Sequence, residues 1–390
     1  MSGTSILPVA AEQFQIRPDI TFLNHGSFGA CPRPVFETYQ HWQRQLEADP
    51  VEFLGRRLTG MLREAREPLA VYLHTQPDQI VFVPNATTGV NIVARSLMLM
   101  LQPGDEVLAT NHEYGAADRT WRFLCAQREV TYINQPILLP LVDDEQVLDH
   151  LWQGVTPHTK VIFISHITSP TALIFPLAKI CQRARAANII TVVDGAHAPG
   201  QIALHLDELG ADFYTGNCHK WLCAPKGAGF LYVRPEREEL LQPLVVSWGW
   251  QSMRPGVSSF QDFFGWTGTD DPAAFLSVPA AISFQHEHNW DAVRPACHDL
   301  AVSARQQITT LLGCEPICPD SSHWWEQMCA IPLPDGDPSA LQQRLREEWR
   351  IEIPVHTWNN RRLLRLSLQG YNGPADVERL LTAIKAIFRG

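Results

Sequence analysis

The stretch GNCHKWLCAPKGAGF (216–230) places Lys220 between a histidine and a tryptophan in a neighbourhood almost free of charge. It overlaps two strand candidates, GADFYTGN (210–217) and GAGFLYV (227–233). An ammonium group in apolar surroundings loses hydration free energy unless it is paired or made neutral by chemistry. The stretch allows two interpretations. Either Lys220 rests its alkyl chain on Trp221 with its amine in water, or the amine forms a Schiff base with a carbonyl cofactor.

Around this stretch, short β-branched segments alternate with helical patterns from about residue 79 to residue 234. Such alternation is typical of βαβ units that form a mostly parallel sheet with helices on both faces. Beyond about residue 270, long helical segments precede two strand candidates, IEIPVHTW (351–358) and RLLRLSLQG (362–370), and an amphipathic helix, ADVERLLTAIKAIF (375–388). The sequence therefore predicts an α/β fold, with a large domain built on the mostly parallel sheet and a smaller α+β C-terminal domain.

The length of the chain fits this two-domain prediction, because 390 residues exceed a single average core. We expect an N-terminal segment at 1–20, a large domain at 21–270 and a small domain at 271–390. Part of the N-terminal segment is expected to join the small domain.

Composition excludes several classes of partner and site. The net charge of -10 makes nucleic acid or an anionic membrane an unfavourable main partner. Nine cysteines without a repeated Cys-x-x-Cys indicate neither a disulfide framework nor a zinc ribbon, so we expect a reducing, cytoplasmic environment. No apolar stretch reaches membrane-spanning length, and the 15 histidines form no cluster with the spacing of a metal site.

Ligands of a mostly parallel sheet bind at the carboxyl ends of its strands, and polar residues follow each strand candidate here. Each has a plain structural explanation: a threonine N-cap, Asp194 capping a turn, or His197 as a core histidine. Together, however, they supply the groups that a pyridoxal phosphate (PLP) enzyme requires. The strand-end residues are Thr87, Thr88, Tyr114, Thr168, Asp194, His197, Asn217, His219 and Lys220.

PLP accepts electrons only when its pyridine nitrogen stays protonated, which requires a fixed carboxylate, and Asp194 is the candidate. Tyr114 is the candidate for stacking on the ring, while His197 and Thr168 are candidates for donors to the phenolic oxygen. Lys220 is the candidate for the Schiff base. The phosphate candidates are Thr87, Thr88, Asn217 and His219.

VVDGAHA (192–198) followed by YTGNCHKWLCAPKGAGFLYV (214–233) resembles the PLP-binding region of the class V aminotransferase family, which includes cysteine desulfurases, kynureninase and isopenicillin N epimerase. The resemblance covers nearly the whole chain, with further segments in the family's order. It implies a fold-type I PLP enzyme that acts on an amino-acid-type small molecule as a homodimer with shared active sites. The further segments are NATTG, HEYGA, SHITSPT, WTGTDD and LRLSLQGYN.

The resemblance also implies roles for residues outside the strand ends. Thr269 of WTGTDD would reach the phosphate bound by the other subunit. Arg365 of LRLS would hold the substrate carboxylate, a role that suits the planar guanidinium, although a surface ion pair is the plain alternative. FLNHGSFGACP (22–32) resembles the strand at the opening of the family's active site, which places Asn24 and His25 in the substrate pocket.

Two differences from the desulfurases indicate which branch of the family this chain resembles. Desulfurases carry a catalytic cysteine shortly before the arginine strand, whereas residues 351–367 contain none. They also usually stack a histidine on the ring, where this chain has Tyr114. Both the tyrosine and the short IEIPVHTW segment resemble the isopenicillin N epimerase branch, so we expect an epimerase-like reaction at the α-carbon of an amino acid or amino-acid side chain. The alternatives are a cysteine or cystine C–S lyase, a sulfoxide lyase, an aminotransferase, or a non-enzymatic scaffold, which the retained Lys220, Asp194 and Arg365 disfavour.

Overall fold

A computed structural model describes residues 11–389, so part of the expected N-terminal segment, 1–10, lies outside the described residues. The strands are β1 (Thr21–Phe22), β2 (Ile80–Val83), β3 (Glu106–Thr110), β4 (Thr131–Gln135), β5 (Thr159–Ser165), β6 (Ile190–Gly195), β7 (Phe213–Asn217), β8 (Gly229–Val233), β9 (Met328–Leu333), β10 (Ile351–Glu352), β11 (Val355–Trp358) and β12 (Arg361–Ser367).

The α-helices range from single turns to the 23-residue α13. They are α1 (His25–Phe28), α2 (Arg33–Ala48), α3 (Pro50–Glu52), α4 (Leu58–Leu73), α5 (Ala86–Leu97), α6 (Gly115–Ala126), α7 (Asp144–Trp152), α8 (Leu177–Ala186), α9 (Leu206–Leu209), α10 (Ser259–Gly265), α11 (Ala273–Leu276), α12 (Val278–Glu287), α13 (Trp290–Leu312), α14 (Pro338–Glu348) and α15 (Pro374–Arg389).

Seven strands form one sheet in the order β2-β8-β7-β6-β5-β3-β4. The pairs from β7 through β6, β5 and β3 to β4 are all parallel. Strand β8 is antiparallel to both β7 and β2, so β2 runs in the same direction as the parallel strands. The prediction of a mostly parallel sheet is confirmed, and every strand of this sheet except β8 ends at the same edge.

Side chains of the central strands alternate between two hydrophobic cores, one on each face of the sheet. On β5, Val161 and Phe163 join the core that contains residues of α5 and α6. The intervening Ile162 and Ile164 join the core that contains residues of α4 and α8. Helices therefore cover both faces, because a parallel sheet with two apolar faces is stable only when both are buried.

A smaller antiparallel sheet lies in the C-terminal part of the chain, with the order β11-β12-β9, and α13 packs on β9. Asn359 and Asn360 join β11 to β12 with φ angles of 45° and 61°, the left-handed geometry that tight hairpin turns require. Strand β1, just after the expected N-terminal segment, pairs in parallel with β10 of the C-terminal part. The α+β prediction is confirmed, whereas the domain boundary at residue 270 stays a prediction.

Within residues 11–389, no helix is both long enough and apolar enough to cross a membrane. The same residues contain no group of three or more His, Cys, Asp or Glu side chains arranged to hold a metal ion.

Candidate active site

A cavity of about 250 Å³, called here the lysine cavity, lies at the edge of the seven-stranded sheet where β5, β6 and β7 end. Seven of the nine strand-end candidates line it, which follows from the shared direction of their strands. The seven are Thr87, Tyr114, Asp194, His197, Asn217, His219 and Lys220.

Lys220 directs its amine toward a histidine and has no carboxylate hydrogen-bonded to it among residues 11–389: Nζ lies 3.3 Å from Nε2 of His197. Burial and, to a smaller extent, the positive charge of Arg365 lower the pKa of Lys220 to about 7, against the opposing effect of Asp194. A substantial fraction of the amine is therefore neutral near neutral pH, the form in which a lysine attacks a carbonyl carbon.

Asp194 stands at the end of β6 and is 4% exposed. Its Oδ1 accepts a 2.9 Å hydrogen bond from the backbone N–H of Ala196, which fixes the carboxylate, while Oδ2 has no hydrogen-bond donor among the described residues. Burial raises the pKa of Asp194, and the Ala196 N–H and Lys220 oppose that shift. A buried carboxylate with a free oxygen facing a cavity suits a protonated ring nitrogen as its partner.

The His197 ring is held from behind by Trp221, whose Nε1 donates to His197 Nδ1 at 3.3 Å. Burial and the nearby charges of Lys220 and Arg365 lower the pKa of His197 well below its usual value, so the ring is neutral. Because Nδ1 accepts from Trp221, the proton of the neutral ring lies on Nε2, on the side of Lys220.

The first turn of α5 forms the floor of the lysine cavity and is fixed by two asparagines. Asn217 Oδ1 accepts from the backbone N–H of Ala86 at 2.8 Å, and Asn85 Oδ1 accepts from that of Thr88 at 2.9 Å. Thr87 lines the cavity at this helix N-terminus, where the helix dipole and free N–H groups favour an anion such as a phosphate. Thr88 instead turns its hydroxyl to Asn85, 3.2 Å away.

His219 closes the same end of the cavity. Its Nδ1 donates to the carbonyl oxygen of Ala228 at 2.8 Å, so Nε2 has no proton while the ring is neutral. Burial lowers the pKa of His219 to about 4. The negative charge of a phosphate next to the ring would raise this pKa and favour the form that donates from both nitrogens.

Thr168 does not line the cavity. Its hydroxyl is fully buried, accepts from the backbone N–H of Leu173 at 2.8 Å and lies 2.7 Å from the hydroxyl of Thr171. From the same loop, Ser169 lines the cavity instead.

Arg365, on β12, binds the loop and turn that border the cavity. Nη1 donates to the backbone carbonyl of Ser169 at 2.7 Å, and Nη2 donates to the hydroxyl of Ser27 at 3.1 Å. The guanidinium forms no ion pair among the described residues, and its buried Nε has no partner there. A cation that is 7% exposed and has no carboxylate partner within residues 11–389 is suited to an anionic ligand, and the alternative surface ion pair is not found among those residues.

Asn24 and His25 stand at the start of the turn α1 and do not line the lysine cavity. His25 is fully buried, with Nδ1 2.9 Å from the hydroxyl of Tyr371 and Nε2 3.0 Å from the carbonyl oxygen of Lys220, so it holds the lysine backbone. Burial lowers the pKa of His25 to about 3. Asn24 donates from Nδ2 to Glu352 at 3.3 Å.

Thr269 is exposed and lies away from the lysine cavity of its own chain. Its neighbours Gly268 and Asp270 border a separate pocket of about 210 Å³ that Thr88 and Trp266 also line.

Glu113 is a buried carboxyl that the sequence interpretation missed. Its two oxygens lie 2.6 Å from the hydroxyls of Thr110 and Ser165, at the ends of β3 and β5. Burial raises the pKa of Glu113 to about 8, and the charge of Asp194 adds to the shift. The sequence showed only an acidic residue between His112 and Tyr114, three positions after an apolar strand. The carboxyl anchors the loop that carries Tyr114.

With this geometry in place, comparison with known proteins identifies the family. The family model described as Aminotransferase class-V matches residues 23–380. The chain belongs to this family. Isopenicillin N epimerases from Amycolatopsis lactamdurans and Streptomyces clavuligerus are each 36% identical to it, the first over 97% of this chain and 98% of that protein, the second over 95% of both. A probable chloroplastic L-cysteine desulfhydrase of Arabidopsis thaliana is 28% identical over 95% of this chain and 84% of that protein.

Solved structures agree on the fold. An apo cysteine desulfurase from Thermococcus onnurineus NA1 has a TM-score of 0.85 with 19% identity, and the match covers 100% of both chains. The cysteine desulfurase CsdA from Escherichia coli has a TM-score of 0.78 with 23% identity over 97% of both chains. The fold-type I prediction is therefore confirmed.

The cofactor of the class V family is PLP, as the sequence predicted. The lysine cavity offers groups that fit this cofactor. It has a reactive amine at Lys220, a carboxylate with a free oxygen at Asp194, a helix N-terminus at Thr87 and an exposed aromatic side chain at Tyr114. The protein is a PLP-dependent enzyme of the class V family.

Proposed function

We propose that this enzyme inverts the configuration at the α-carbon of an amino acid or amino-acid-bearing side chain, as an isopenicillin N epimerase-like enzyme. The observation that carries the proposal is that a phenol, Tyr114, lines the lysine cavity together with the amine of Lys220. Inversion requires a group that removes the α-proton from one face and a group that returns a proton to the other. The two epimerases that share 36% identity over nearly the full chain support this choice.

Bound PLP supplies the electron sink: it joins amines as a Schiff base and accepts the electron pair left when the α-proton departs. In the proposed arrangement, Asp194 keeps the ring nitrogen protonated, and His197 donates from Nε2 toward the phenolic oxygen. Thr168 was expected to assist there, but its hydroxyl is fully buried outside the lysine cavity, where it accepts from the Leu173 N–H and lies 2.7 Å from the Thr171 hydroxyl, so its contribution is to hold the 168–171 loop.

The chain's remaining residues bind and orient the two anionic groups. The first turn of α5, together with Thr87, Asn217 and His219, receives the phosphate at the end of the cavity. Arg365 receives the α-carboxylate of the substrate with Nη1 and Nη2, the nitrogens that contact Ser169 and Ser27 at the border of the cavity.

The amine of Lys220 takes the α-proton on its side of the cavity, which its pKa of about 7 allows near neutral pH. Tyr114, which is 45% exposed, returns a proton from its own side.

A second candidate function is β-elimination from a cysteine-type substrate, which the similarity to L-cysteine desulfhydrases favours. Persulfide chemistry of the desulfurase kind is not a candidate. The two-residue turn at Asn359 and Asn360 joins β11 directly to β12, and residues 351–367 contain no cysteine to accept a sulfur atom.

The proposed assembly is a homodimer whose active sites are shared. Thr269 is exposed, so it is free to approach a phosphate in a second subunit. The segment before it exposes large apolar side chains, among them Trp248 at 79% and Met253 at 93%, which a partner would cover. The nine cysteines, all free thiols, fit a reducing compartment, for which we propose the cytoplasm.

The test is to follow α-proton exchange in deuterated water, product chirality and pyruvate release over a panel of L- and D-amino acids and cysteine conjugates. The proposal predicts exchange with inversion, and a roughly 10²- to 10⁴-fold loss of inversion in Tyr114→Phe, which keeps the aromatic ring but removes the acid. Pyruvate release without inversion would establish the lyase instead. Equal inversion rates in the wild type and Tyr114→Phe would show that another group returns the proton.

A further inference from the structure

A cavity of about 540 Å³, called here the α8 cavity, lies beside the first turn of α8. Among residues 11–389, none lines both this cavity and the lysine cavity. The two are nevertheless neighbours along the chain, because Ser165 and Ile167 line the lysine cavity whereas His166, between them, lines the α8 cavity. The α8 cavity is therefore a separate space that meets the same segment at the end of β5.

His166 presents a hydrogen-bond donor to the α8 cavity. Its Nδ1 lies 2.9 Å from the hydroxyl of Tyr214, and this nitrogen is the only partner of that buried phenol within residues 11–389. The phenol therefore donates to Nδ1, and the proton of the ring lies on Nε2, since burial lowers the pKa of His166 to about 4 and keeps the ring neutral.

The Nε2 donor of His166 has no acceptor among the described residues, although the side chain is only 8% exposed. It is not enclosed by protein atoms, so it opens on the cavity that the residue lines. A donor that is largely removed from water and lacks an acceptor is unfavourable, which makes an acceptor on a ligand its natural partner.

The first turn of α8 supplies backbone donors to the same cavity. The helix is ten residues long, and its N-cap, Pro176, provides no side-chain acceptor. The backbone N–H groups of Ala178 and Lys179 have no acceptor within the described part of the chain, and both residues line the cavity. Free N–H groups at a helix N-terminus, together with the helix dipole, favour an anion.

Two acidic side chains also line the α8 cavity, but neither occupies these donors. Asp144 is held by His323, with Oδ1 2.6 Å from Nε2, and by Lys179, with Oδ2 3.1 Å from Nζ. Glu208 is 84% exposed and lies 3.9 Å from His205. Because like charges repel, these two acids favour a ligand with one negative charge over a phosphate with two.

We propose that the α8 cavity binds a small carboxylic acid with an apolar body, whose carboxylate accepts from His166 Nε2 and from the N–H groups of Ala178 and Lys179. Small-molecule sites commonly combine a mostly apolar lining with a few polar groups that fix the ligand. The apolar residues available to cover the body of the ligand include Ile174, Phe175, Leu177, Leu204 and Leu209. The site is distinct from the one proposed for catalysis.

Hexanoate and hexanamide test the proposal on the PLP-loaded enzyme, because they have the same apolar body and only hexanoate is an anion at neutral pH. Calorimetry gives their dissociation constants. We expect hexanoate to bind at least about tenfold more tightly, the range of one hydrogen bond to a charged group. Arg365→Gln, which removes a cation that borders the lysine cavity, should leave this preference intact.

Two independent variants should reduce the preference. His166→Asn keeps an oxygen that accepts from Tyr214 near the position of Nδ1 but removes the Nε2 donor, whereas His166→Gln places an amide donor near Nε2 and should retain part of the preference. Ala178→Pro removes one backbone N–H, and its turn should persist because proline is also the second residue of α2 and α12. His166→Asn and Ala178→Pro should each weaken hexanoate binding at least about fivefold.

Uptake of PLP by each variant checks that it is folded. Equal binding of the two probes by the wild type would overturn the inference, as would a preference for hexanoate that survives both His166→Asn and Ala178→Pro. A preference that is lost in Arg365→Gln and kept in His166→Asn would place the carboxylate in the lysine cavity and would also overturn it.

Discussion

Replacing Glu113 with glutamine tests whether the buried carboxyl beside Asp194 is held neutral. Burial raises the pKa of Glu113 from 4.5 to about 8. Between these values the folded protein keeps a proton that the unfolded chain has lost, so the free energy of unfolding of the wild type falls as pH rises. The slope is about 1.4 kcal/mol per pH unit. Glutamine does not titrate, so at this position the free energy of unfolding of the variant does not fall as pH rises.

The expected magnitude follows from these values. From about pH 5 to about pH 8, the unfolding free energy of Glu113→Gln should rise relative to the wild type by up to about 4 kcal/mol. Above about pH 8 both states of the wild type are ionised, so the difference should level off. At about pH 5 the two proteins should agree within about 1 kcal/mol. There the amide makes the same two contacts as a neutral carboxyl, donating to one of Thr110 and Ser165 and accepting from the other.

The assay is urea unfolding of the cofactor-free protein, followed by tryptophan fluorescence at a series of pH values. Glu106→Gln is the matched control, because Glu106 also accepts from two threonine hydroxyls, Thr156 at 2.5 Å and Thr159 at 3.1 Å, but is only partly buried. The control measures what replacing a carboxyl that contacts two hydroxyls does to the free energy of unfolding at a partly buried site. A Glu113→Gln protein that loses more than about 2 kcal/mol at every pH would refute the reasoning, since it would mean that the carboxyl is ionised and needs both hydroxyl donors.

The remaining predictions concern Lys220 and the assembly. Because the pKa of Lys220 is about 7, the rate at which cofactor-free protein captures PLP should rise with pH and reach half its maximum near pH 7. Stopped-flow absorbance measures this rate. A midpoint near the ordinary pKa of lysine would contradict the argument that burial lowers the pKa of Lys220. Arg365→Gln should move that midpoint upward, since it removes the positive charge that helps to lower the pKa of Lys220. Light scattering should give the mass of a dimer, and Trp248→Glu should shift it toward the monomer by placing a charge in the proposed interface; a monomer with full PLP occupancy would refute shared sites.

Strand direction alone predicts which polar residues lie at the same edge of the sheet. Asp194 and Asn217 follow neighbouring parallel strands, so an apolar strand ending in a polar residue was sufficient to place them at one edge. The exceptions are two threonines whose hydroxyls form hydrogen bonds with residues close to them in the sequence. Thr88 turns to Asn85, and Thr168 turns to Leu173, and neither choice is visible in the pattern of residue types.

The sequence did not predict two strands of the fold, β4 and β9, and each omission has a physical reason. β4 is an edge strand whose residues are all partly or fully exposed, so TYINQ lacks the apolar run that marks the central strands. The part of the sequence that contains β9 has a mostly helical pattern. Only the pairing with β12 identifies MCAIPL as a strand. Glu113 was missed because its partners, Thr110 and Ser165, lie on different strands.

The central claim is that Lys220 carries the cofactor, and its most direct test is to reduce the PLP-loaded enzyme with borohydride, digest it and locate the label by mass spectrometry. The account predicts one pyridoxyl phosphate group per chain on the ε-amine of Lys220. Lys220→Ala should retain the fold and carry no reduced label there. Lys226 lies only six residues further along but lines a different cavity, of about 700 Å³, so it provides an internal control. A label on Lys226, or an enzyme that takes up no PLP, would contradict the account.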